Sequence, residues 1–335
     1  MKKIRFALIG SGWRSLFYIR IAKALSEYFE ITAIRVRSKE KQEFILSSYG
    51  FKSVLCDQEV VDTNPDFVVV AVSKSELFKV SSYYLEKGIP VLCETPGGGS
   101  REELIKAYSY IPSVLYGIAE QYFLYPLYSS IIKLIKDGII GKPNYVYLSL
   151  CHDYHSISLI RKFLLEEGHP KLLFEQNFEE ELLGGFSRYE SDISDDLVKD
   201  SRVVRLFSFP SGKHALYDFS SSIYHSPLRD KHLRVEGEKG VIDERGVVSK
   251  SLKAPFTISY RTLERSDVDK MQRRVEVVDK ISVGDRVLFK NRFPDKILSE
   301  DEYAITLLLF NFYKAINGEE ELLYPAREAI LDSLL

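Results

Sequence analysis

The sequence predicts an α/β protein of two domains: a parallel sheet with alternating helices, followed by an α+β domain. Its 335 residues are more than one hydrophobic core usually holds. Up to about residue 120, short apolar runs alternate with amphipathic stretches of helical period, the pattern of a right-handed parallel α/β sheet. From residue 121 onward, strand-like runs follow one another at hairpin spacing. We therefore expect domains at residues 1–120 and 121–335.

The first domain is predicted to contain five strands that alternate with helices. The run DFVVVAV is almost uninterruptedly apolar, which is typical of a central parallel strand buried on both faces. Gly50 and Gly88 are predicted to end helices, and Ser100 with Glu103 to begin one as a capping box. The predicted strands are 4–10, 30–36, 66–72, 89–94 and 113–120, and the helices are 15–28, 39–50, 75–88 and one starting after Ser100.

The second domain is predicted to begin with a helix, a strand and a helix, and to continue mainly as strands. Residues 166–200 are polar, acidic and weakly periodic, so we expect a long irregular excursion there, with a solvated loop at 190–200. The predicted helices are 126–138, 156–165, 301–317 and 325–335, and the strands are 144–150, 202–209, 214–220, 232–237, 256–262 and 273–279.

Charge and cysteine content exclude several classes of partner. Lys+Arg 46 against Asp+Glu 48 gives a net charge of −2, so no field attracts nucleic acid or an anionic membrane. The cysteines Cys56, Cys93 and Cys151 are too few and too scattered for a disulfide framework or a zinc site, and we expect no metal. No apolar segment has the length of a membrane span. The expected location is the cytoplasm.

A glycine-rich turn separates the first predicted strand from the first helix. It consists of Gly10-Ser11-Gly12-Trp13-Arg14-Ser15. In a dinucleotide-binding Rossmann fold, this turn brings backbone close to a pyrophosphate and aims a helix N-terminus at its charge. Gly10 permits the tight turn, Gly12 leaves room for phosphate, and Ser15 is small enough for close helix–strand packing. The alternative is a generic tight turn without a cofactor.

The end of the second strand indicates which dinucleotide is preferred. An NAD-preferring site carries Asp or Glu there, to bond the ribose 2′-hydroxyl. This chain has Arg37 and Ser38 instead, and a guanidinium with a hydroxyl suits a 2′-phosphate. We therefore expect NADP(H) in preference to NAD(H), with solvated surface charges as the alternative.

Five motifs in order along the chain resemble the Gfo/Idh/MocA family of glucose–fructose oxidoreductases and inositol dehydrogenases. They are the glycine turn 10–15, the strand 66–72, Glu94-Thr95-Pro96, the segment DGIIGK at 137–142 and the segment RVEGEKG at 234–240. The resemblance implies a Rossmann domain, a C-terminal domain built on a large open, mostly antiparallel sheet, and homodimers or homotetramers formed through that sheet. It also implies hydride transfer between a nicotinamide and a sugar or polyol carbon. Further cofactor contacts are expected from Val72, Ser73, Glu94, Thr95 and Gln121.

The chain departs from the family at three positions that matter for chemistry. Thr95 occupies the position of the catalytic lysine and cannot be a base near neutral pH. Cys151 stands where the family has the aspartate of Asp-x-x-x-His, although His155 matches its histidine. Phe123 replaces an arginine. The chain is most similar to family members that carry Glu-Thr-Pro with Ala-Glu-Gln-Tyr and His-Asp-Tyr-His.

The segment His152-Asp153-Tyr154-His155 contains candidates for a replacement proton-transfer group. We expect His155 to act as the acid/base because imidazole titrates near neutral pH, with Asp153 and Glu120 in support and Tyr154 as a further donor. The alternative to a catalytic role is a polar cluster that only caps a helix, with Asp153 as the N-cap. A metal site is disfavoured, since the histidines lack i, i+4 spacing.

These observations predict a cytoplasmic NADP(H)-preferring oxidoreductase that acts on a sugar-like or other small polar metabolite without the usual lysine. Two rivals remain open. One is a nucleotide-binding sensor or accessory protein that has lost activity. The other is a lyase or hydrolase that holds nicotinamide as a built-in redox cofactor.

Overall fold

The computed structural model describes residues 2–110, 116–185, 193–265 and 274–335. The chain divides into two compact units, residues 1–121 with 295–334, and residues 122–294. The first boundary lies one residue from the expected domain boundary. Residues 295–334 differ from the expectation, because they belong to the first unit instead of closing the second.

The first unit contains a six-stranded parallel sheet in the order β3-β2-β1-β4-β5-β6. The crossover at β1 and β4 is the doubly wound arrangement of a Rossmann fold. The strands are β1 (Ile4–Ile9), β2 (Phe29–Arg35), β3 (Ser53–Val54), β4 (Phe67–Val70), β5 (Val91–Cys93) and β6 (Tyr116–Ile118). The helices up to β6 are α1 (Trp13–Ala24), α2 (Lys39–Tyr49), α3 (Asp57–Val61), α4 (Leu77–Glu86) and α5 (Arg101–Ala107).

The closing helices of the chain pack on this first unit because their aromatic side chains fit its sheet. In helix Glu300–Ile316, Phe312 meets Phe67 of β4 with ring centroids 5.1 Å apart. Gly117 of β6 makes room for this ring, since a Cβ there would lie 2.8 Å from it. Arg20 of α1 forms a buried ion pair with Glu302 at 2.5 Å. These contacts join residues that are far apart in the sequence, so no local sequence pattern predicts them.

The second unit is built on a ten-stranded sheet, in the order β16-β15-β14-β13-β12-β11-β7-β10-β9-β8. Its pairings are antiparallel except for β7 with β10, so the predicted fold class is confirmed. The strands are β7 (Pro143–Ser149), β8 (Lys171–Leu183), β9 (Leu197–Ser208), β10 (His214–Ser220), β11 (His232–Gly237), β12 (Gly240–Asp243), β13 (Gly246–Ser249), β14 (Lys253–Glu264), β15 (Arg274–Val283) and β16 (Arg286–Lys290). The helices are α6 (Pro126–Lys136) and α7 (Asp153–Leu164), and those of the chain's end in the first unit are α8 (Glu300–Ile316) and α9 (Ala326–Asp332).

The expected irregular excursion at 166–200 is wrong. Most of its described residues form β8 and the start of β9, which pair as a long antiparallel hairpin. Nearly every side chain of β8 is exposed, on both faces of the strand. Without one buried face, a strand loses the alternation that sequence reasoning depends on. In the predicted loop 190–200, residues 190–192 lie outside the described residues, whereas 197–200 belong to β9.

Other differences are small. The short β3, α3, β12, β13 and β16 were not predicted, and α1 ends at Ala24 instead of continuing to residue 28. Part of the predicted strand 113–120 and the first residue of 273–279 lie outside the described residues. Ser100 caps α5 as expected by accepting from Glu103 N at 3.2 Å, but the Glu103 carboxylate accepts from Gly99 N instead of completing a capping box. None of the described helices is long and apolar enough to cross a membrane.

Candidate functional site

The glycine turn is held tightly against the end of β4. Gly10 has φ +125°, and a Cβ on it would lie 2.2 Å from the carbonyl oxygen of Ala71, so only glycine fits. Ser15, fully buried, donates from Oγ to the same carbonyl at 3.2 Å. The third position of the motif therefore fastens α1 to the strand, as its small size predicts.

Gly12 provides the open side of the turn. It is the N-cap of α1, and nothing lies within 4 Å of the position a Cβ would take. The first-turn N–H groups of a helix are donors without helical partners and carry partial positive charge. Ser11 and Gly12 lie at the mouth of the turn, and Trp13 packs edge-on against Phe17 at 4.6 Å. A pyrophosphate fits this arrangement.

The side chain of Arg14, in the glycine turn, contacts two carboxylates. Its Nη1 donates to Oδ2 of Asp301 at 2.9 Å, and its Nε lies 3.6 Å from the Glu94 carboxylate. Glu94 also accepts from the Tyr18 hydroxyl at 2.6 Å, and Gln121 donates to Asp301 at 3.0 Å. Burial, with the neighbouring Glu94 charge, raises the pKa of Tyr18, so its hydroxyl stays a donor.

This network joins three residues expected to contact cofactor: Arg14, Glu94 and Gln121. It also contains Asp301, which sequence reasoning missed. Asp301 lies in the first turn of α8, whose N-cap is Ser299. The capping sequence Ser-Glu-Asp-Glu at 299–302 was a signal for a helix start, but nothing in it indicates a partner 287 positions away.

A cavity of about 830 Å³ opens beside the ends of β2 and β4. Arg35 and Arg37 line it from β2 and the segment after it, Val72 and Ser73 from the segment after β4, and Lys79 from α4. Its further lining residues are Asp57, Ser75, Glu76, Val80, Ser82, Tyr83 and Glu86. Four residues predicted from sequence or resemblance to bind cofactor therefore lie at or beside one cavity, because Ser38 follows Arg37 directly.

The cations of this cavity differ in how they are paired. Arg35 is held by Asp57, with Nε 3.3 Å from the carboxylate, and Tyr84 donates to that carboxylate at 2.7 Å. Arg37 and Lys79 are exposed. Lys79 was missed by sequence reasoning, because a lysine on an amphipathic helix carries no signal of its own. Two cations thus face a space the size of a nucleotide moiety.

Ser38 has a second role that the sequence did not show. It is the N-cap of α2, where its Oγ accepts from Lys41 N at 3.4 Å. Its hydroxyl also bonds the Glu40 side chain and lowers the pKa of that carboxyl. The predicted contact of Ser38 with a 2′-phosphate therefore competes with a helix cap.

Thr95 stands directly after Glu94 at the carboxyl end of β5. Glu94 is 7% exposed, Thr95 is half-buried, and the Thr95–Pro96 peptide is cis. Threonine has no side chain that titrates near neutral pH, so Thr95 lacks the acid/base capacity of a lysine. Cys93, just before, is fully buried, which raises the pKa of its thiol to about 12.

In the second unit, the His152–His155 sequence begins α7. His152 occupies the N-cap without a side-chain cap bond, and Asp153 has φ +36°. The Asp153 amide donates to the Tyr217 hydroxyl at 3.1 Å, and its half-exposed carboxylate pairs with Arg205 at 3.2 Å. Asp153 is therefore not the predicted cap, and its carboxylate pairs with Arg205 instead of a histidine.

His155 lies among aromatic rings. It is 4% exposed, and its centroid is 4.6 Å from Tyr122, 4.5 Å from Tyr154 and 5.0 Å from His152. Burial raises the pKa of Tyr122, so its hydroxyl stays protonated near neutral pH. Of the four expected catalytic residues, the structure thus brings Tyr154 and His155 together.

The remaining candidates lie elsewhere. Glu120 is 1% exposed and belongs to the first unit, whereas His155 belongs to the second. Cys151, at the family's aspartate position, is buried with its Sγ 3.4 Å from Ser156 Oγ. Among the described residues, no three His, Cys, Asp or Glu side chains are grouped to hold a metal ion.

His152 itself was named only as part of the cluster, yet both of its ring nitrogens lie within hydrogen-bond distance of tyrosine hydroxyls. Its Nδ1 lies 2.5 Å from the Tyr224 hydroxyl and its Nε2 lies 3.2 Å from the Tyr154 hydroxyl. Tyr224 was missed by sequence reasoning. It ends a 3₁₀ turn, Ser221–Tyr224, and carries no local sign of a partner 72 positions earlier.

Comparison with known proteins agrees with the geometry of the first unit. Residues 4–112 match the GFO_IDH_MocA family, an oxidoreductase family with an NAD-binding Rossmann fold. The resemblance inferred from the motifs is confirmed for this Rossmann region, residues 4–112. No curated protein matches the chain in sequence.

Solved structures of oxidoreductases share the fold of this chain over nearly its whole length. An oxidoreductase from Thermotoga maritima is 17% identical, with a TM-score of 0.65 and coverage of 99% of this chain and 94% of that one. One from Agrobacterium radiobacter, in complex with NAD+, L-tartaric acid and magnesium, is 13% identical (TM-score 0.66, coverage 99% and 94%). A levoglucosan dehydrogenase in complex with NADH and levoglucosan is 14% identical (TM-score 0.67, coverage 99% and 95%). At such identities the likeness is one of fold.

Proposed function

We propose that the protein is a cytoplasmic, NADP(H)-preferring oxidoreductase that interconverts a hydroxyl and a carbonyl on a sugar-like or other small polar metabolite. When bound, the nicotinamide supplies or accepts the hydride. The observation that carries the proposal is the glycine turn, closed against β4 at Gly10 and open at Gly12, beside a cavity lined by Arg37 and Lys79. Three scattered cysteines are too few for a disulfide framework, which favours a reducing compartment.

The preference for NADP(H) rests on charge in that cavity. A 2′-phosphate gains most from cations that have no carboxylate partner of their own. Arg35 is neutralised by Asp57, so Arg37 and Lys79 are the groups that would hold the phosphate. Glu76 and Glu86 also line the cavity and would repel a phosphate placed near them. The 2′-phosphate is therefore expected to lie beside Arg37.

The substrate class is supported by two of the structural neighbours. Levoglucosan and L-tartaric acid, named with those structures, are both small and rich in hydroxyl groups. The chemistry at the carbonyl oxygen needs a proton donor, and Thr95 cannot supply it. The cluster at the start of α7 contains the titratable and hydroxyl groups that replace the lysine, including His155 and Tyr154, with Glu120 and Asp153 as supporting carboxylates.

A nucleotide titration tests the proposal first. Trp13 lies in the glycine turn, so its fluorescence reports binding there. Micromolar binding of NADPH, with NADH at least tenfold weaker, is expected. Next, NADPH oxidation is followed at 340 nm with a panel of sugar aldehydes, ketoses and keto acids. The Gly12→Val variant, which fills the open side of the turn, is the control that must abolish binding.

The loss of the lysine supports one other function, a nucleotide-binding sensor or accessory protein. It predicts tight NADPH binding with no turnover for any member of the panel. Nucleotide that co-purifies and turns over without addition would instead support the built-in redox cofactor of a lyase or hydrolase. Absence of binding to either dinucleotide, in protein that carries no nucleotide already, contradicts all three.

Self-association through the C-terminal sheet is part of the same proposal, as a homodimer or homotetramer. The strand register places Phe174, Phe178 and Val248 on one face of the sheet, and they are 52%, 48% and 57% exposed. Tyr217, which contacts α7, lies on the other face. Apolar side chains grouped on an exposed sheet face favour a protein partner.

A further inference from the structure

A continuous chain of hydrogen bonds connects three tyrosines through one histidine in the second unit. Tyr122 is bonded to Tyr224. The Tyr224 hydroxyl lies 2.5 Å from Nδ1 of His152. Nε2 of His152 lies 3.2 Å from the hydroxyl of Tyr154, in the first turn of α7. The chain thus runs phenol–phenol–imidazole–phenol.

The backbone fixes how protons are arranged in this chain. The N–H of His152 donates to the Tyr224 oxygen at 2.9 Å, which uses one of its two lone pairs. If Tyr122 donates to the other lone pair, the Tyr224 hydroxyl must donate to Nδ1. A neutral imidazole that accepts at Nδ1 carries its proton on Nε2 and donates it towards Tyr154.

The opposite arrangement satisfies the same atoms. Tyr154 then donates to Nε2, His152 donates from Nδ1 to Tyr224, and Tyr224 donates to Tyr122. In both arrangements, the backbone N–H of His152 donates to one lone pair of the Tyr224 oxygen. Burial raises the pKa of both Tyr122 and Tyr224, so both stay protonated near neutral pH whichever way the chain points. A hydrogen-bonded chain with two equivalent directions is a proton conduit.

We propose that Tyr122, Tyr224, His152 and Tyr154 form a proton relay that replaces the lysine, with the Tyr154 hydroxyl as the group that meets the substrate oxygen. The proposal rests on the oxidoreductase function proposed above. His152, and not His155, is then the imidazole that transfers the proton. His155 acts as a positioning residue, because its ring packs against Tyr122, Tyr154 and His152.

The proton balance of the relay is simple. In carbonyl reduction, the carbon takes a hydride from reduced nicotinamide and the oxygen takes the proton of Tyr154. The Nε2 proton moves to Tyr154, the Tyr224 proton to Nδ1, and the Tyr122 proton to Tyr224, while half-buried Tyr122 recovers one from water. The sum is one hydride and one proton for each carbonyl reduced, and the chain is left pointing the other way. Alcohol oxidation reverses each step.

Nitrogen NMR on ¹⁵N-histidine-labelled protein tests the relay without substrate or cofactor. Tyr224→Phe and Tyr154→Phe are expected to shift both ring nitrogens of His152, because a change at one end reverses the preferred tautomer. Tyr122→Phe is the decisive variant, since Tyr122 bonds Tyr224 and not the imidazole, yet it must shift the same nitrogens. Tyr145→Phe in β7 is the matched control. Unchanged His152 signals in Tyr122→Phe or Tyr224→Phe overturn the relay.

Turnover then separates failure of the relay from failure of the proposed function. With NADPH and D-glyceraldehyde as probe, His152→Gln, Tyr154→Phe and Tyr224→Phe should lower kcat by about 100-fold or more. NADPH affinity should stay within about threefold, and the solvent deuterium effect seen in the wild type should change. Wild-type turnover with unchanged kcat in Tyr224→Phe and His152→Gln overturns the relay alone. Wild-type protein that is inert with glyceraldehyde and the whole carbonyl panel overturns the oxidoreductase function and the relay's role with it, even where the NMR shifts occur.

Discussion

Asp301 accepts a hydrogen bond at 2.9 Å from Arg14, a residue of the glycine turn 287 positions earlier in the chain. Both side chains are about one-fifth exposed, and Glu94 and Gln121 complete the network. The last part of the chain therefore supports the turn that is proposed to hold the cofactor. In this unit, the glycine turn and the start of α8 are connected through two carboxylates and one guanidinium.

Replacing Asp301 with Ala is expected to weaken NADPH binding about tenfold. Arg14 would keep only the longer contact with Glu94, and a hydrogen bond to a charged group contributes roughly 1.5–3 kcal/mol. The Trp13 titration measures the affinity, and thermal unfolding measures the accompanying loss of stability. Glu319→Ala, an exposed acid just after α8, is the control and should change neither. Unaltered affinity in the Asp301 variant would show that the turn does not depend on the network.

The buried pair of Arg20 and Glu302 is predicted to stabilise the first unit. Their side chains are 6% and 0% exposed, and Glu302 also accepts from Ser299 N at 2.9 Å as part of a capping box. Glu302→Ala leaves a buried guanidinium without its partner, which costs about 3–5 kcal/mol. Urea unfolding should show this loss, and Glu302→Gln, which keeps an acceptor, should lose clearly less. Equal losses for the two variants would mean that the charge of Glu302, which both variants remove, accounts for the effect and that its volume and acceptor do not.

The sequence predicted those features that depend on neighbouring residues. The turn from Gly10 to Ser15 is recognisable because its backbone conformation and close contact with β4 need particular small residues at fixed spacing. The parallel strands are recognisable because both of their faces are buried. The strand β8 is not, since exposure of both faces leaves no alternation to detect. Helix α8 was found, but its amphipathic pattern does not indicate which sheet it covers.

The candidate site was predictable only in part for the same reason. The residues His152 to His155 stand together in sequence and were identified as a group. The contact at Nδ1 of His152 depends on Tyr224, and the shorter ion pair of Arg14 depends on Asp301. Both partners come from distant segments, and one local expectation, the link between Asp153 and a histidine, is replaced by a contact with Arg205 of β9.

Arg37→Ala should reduce selectivity for NADPH. Loss of a charge-assisted bond to a 2′-phosphate lowers NADPH affinity by about 10- to 100-fold, whereas NADH lacks that phosphate and should bind within about twofold of the wild-type value. Lys79→Ala should act in the same direction. The comparison is made with NADPH, NADH and 2′-AMP, and Lys106→Ala on α5 is the control. A parallel loss for both dinucleotides would place the effect outside the phosphate contact.

Thiol labelling is expected to separate the three cysteines. Cys56 is exposed, while Cys93 and Cys151 are buried, and burial raises the pKa of Cys93 to about 12. At pH 8, iodoacetamide should modify Cys56 alone, since the thiolate is the reactive form. Because the folded pKa of Cys93 lies above the unfolded value near 8.5, its contribution to stability is complete below pH 8.5 and falls as the pH rises towards 12. Mass spectrometry of native and urea-unfolded samples checks the labelling, and rapid modification of Cys93 in the native protein would contradict its burial.

Phe174→Glu together with Phe178→Glu should dissociate the proposed oligomer. Both side chains lie on the exposed face of the hairpin β8–β9, so a charge there costs little in the isolated subunit but much in an interface that excludes water. Sedimentation velocity should show a wild type of at least twice 38.5 kDa and a variant of one chain's mass. The double variant Leu46→Glu and Ile105→Glu, which places charges on exposed apolar positions of the first unit, is the matched control. A monomeric wild type would contradict the proposed oligomer. Equal dissociation of the control variant would show that the effect is not specific to this sheet face.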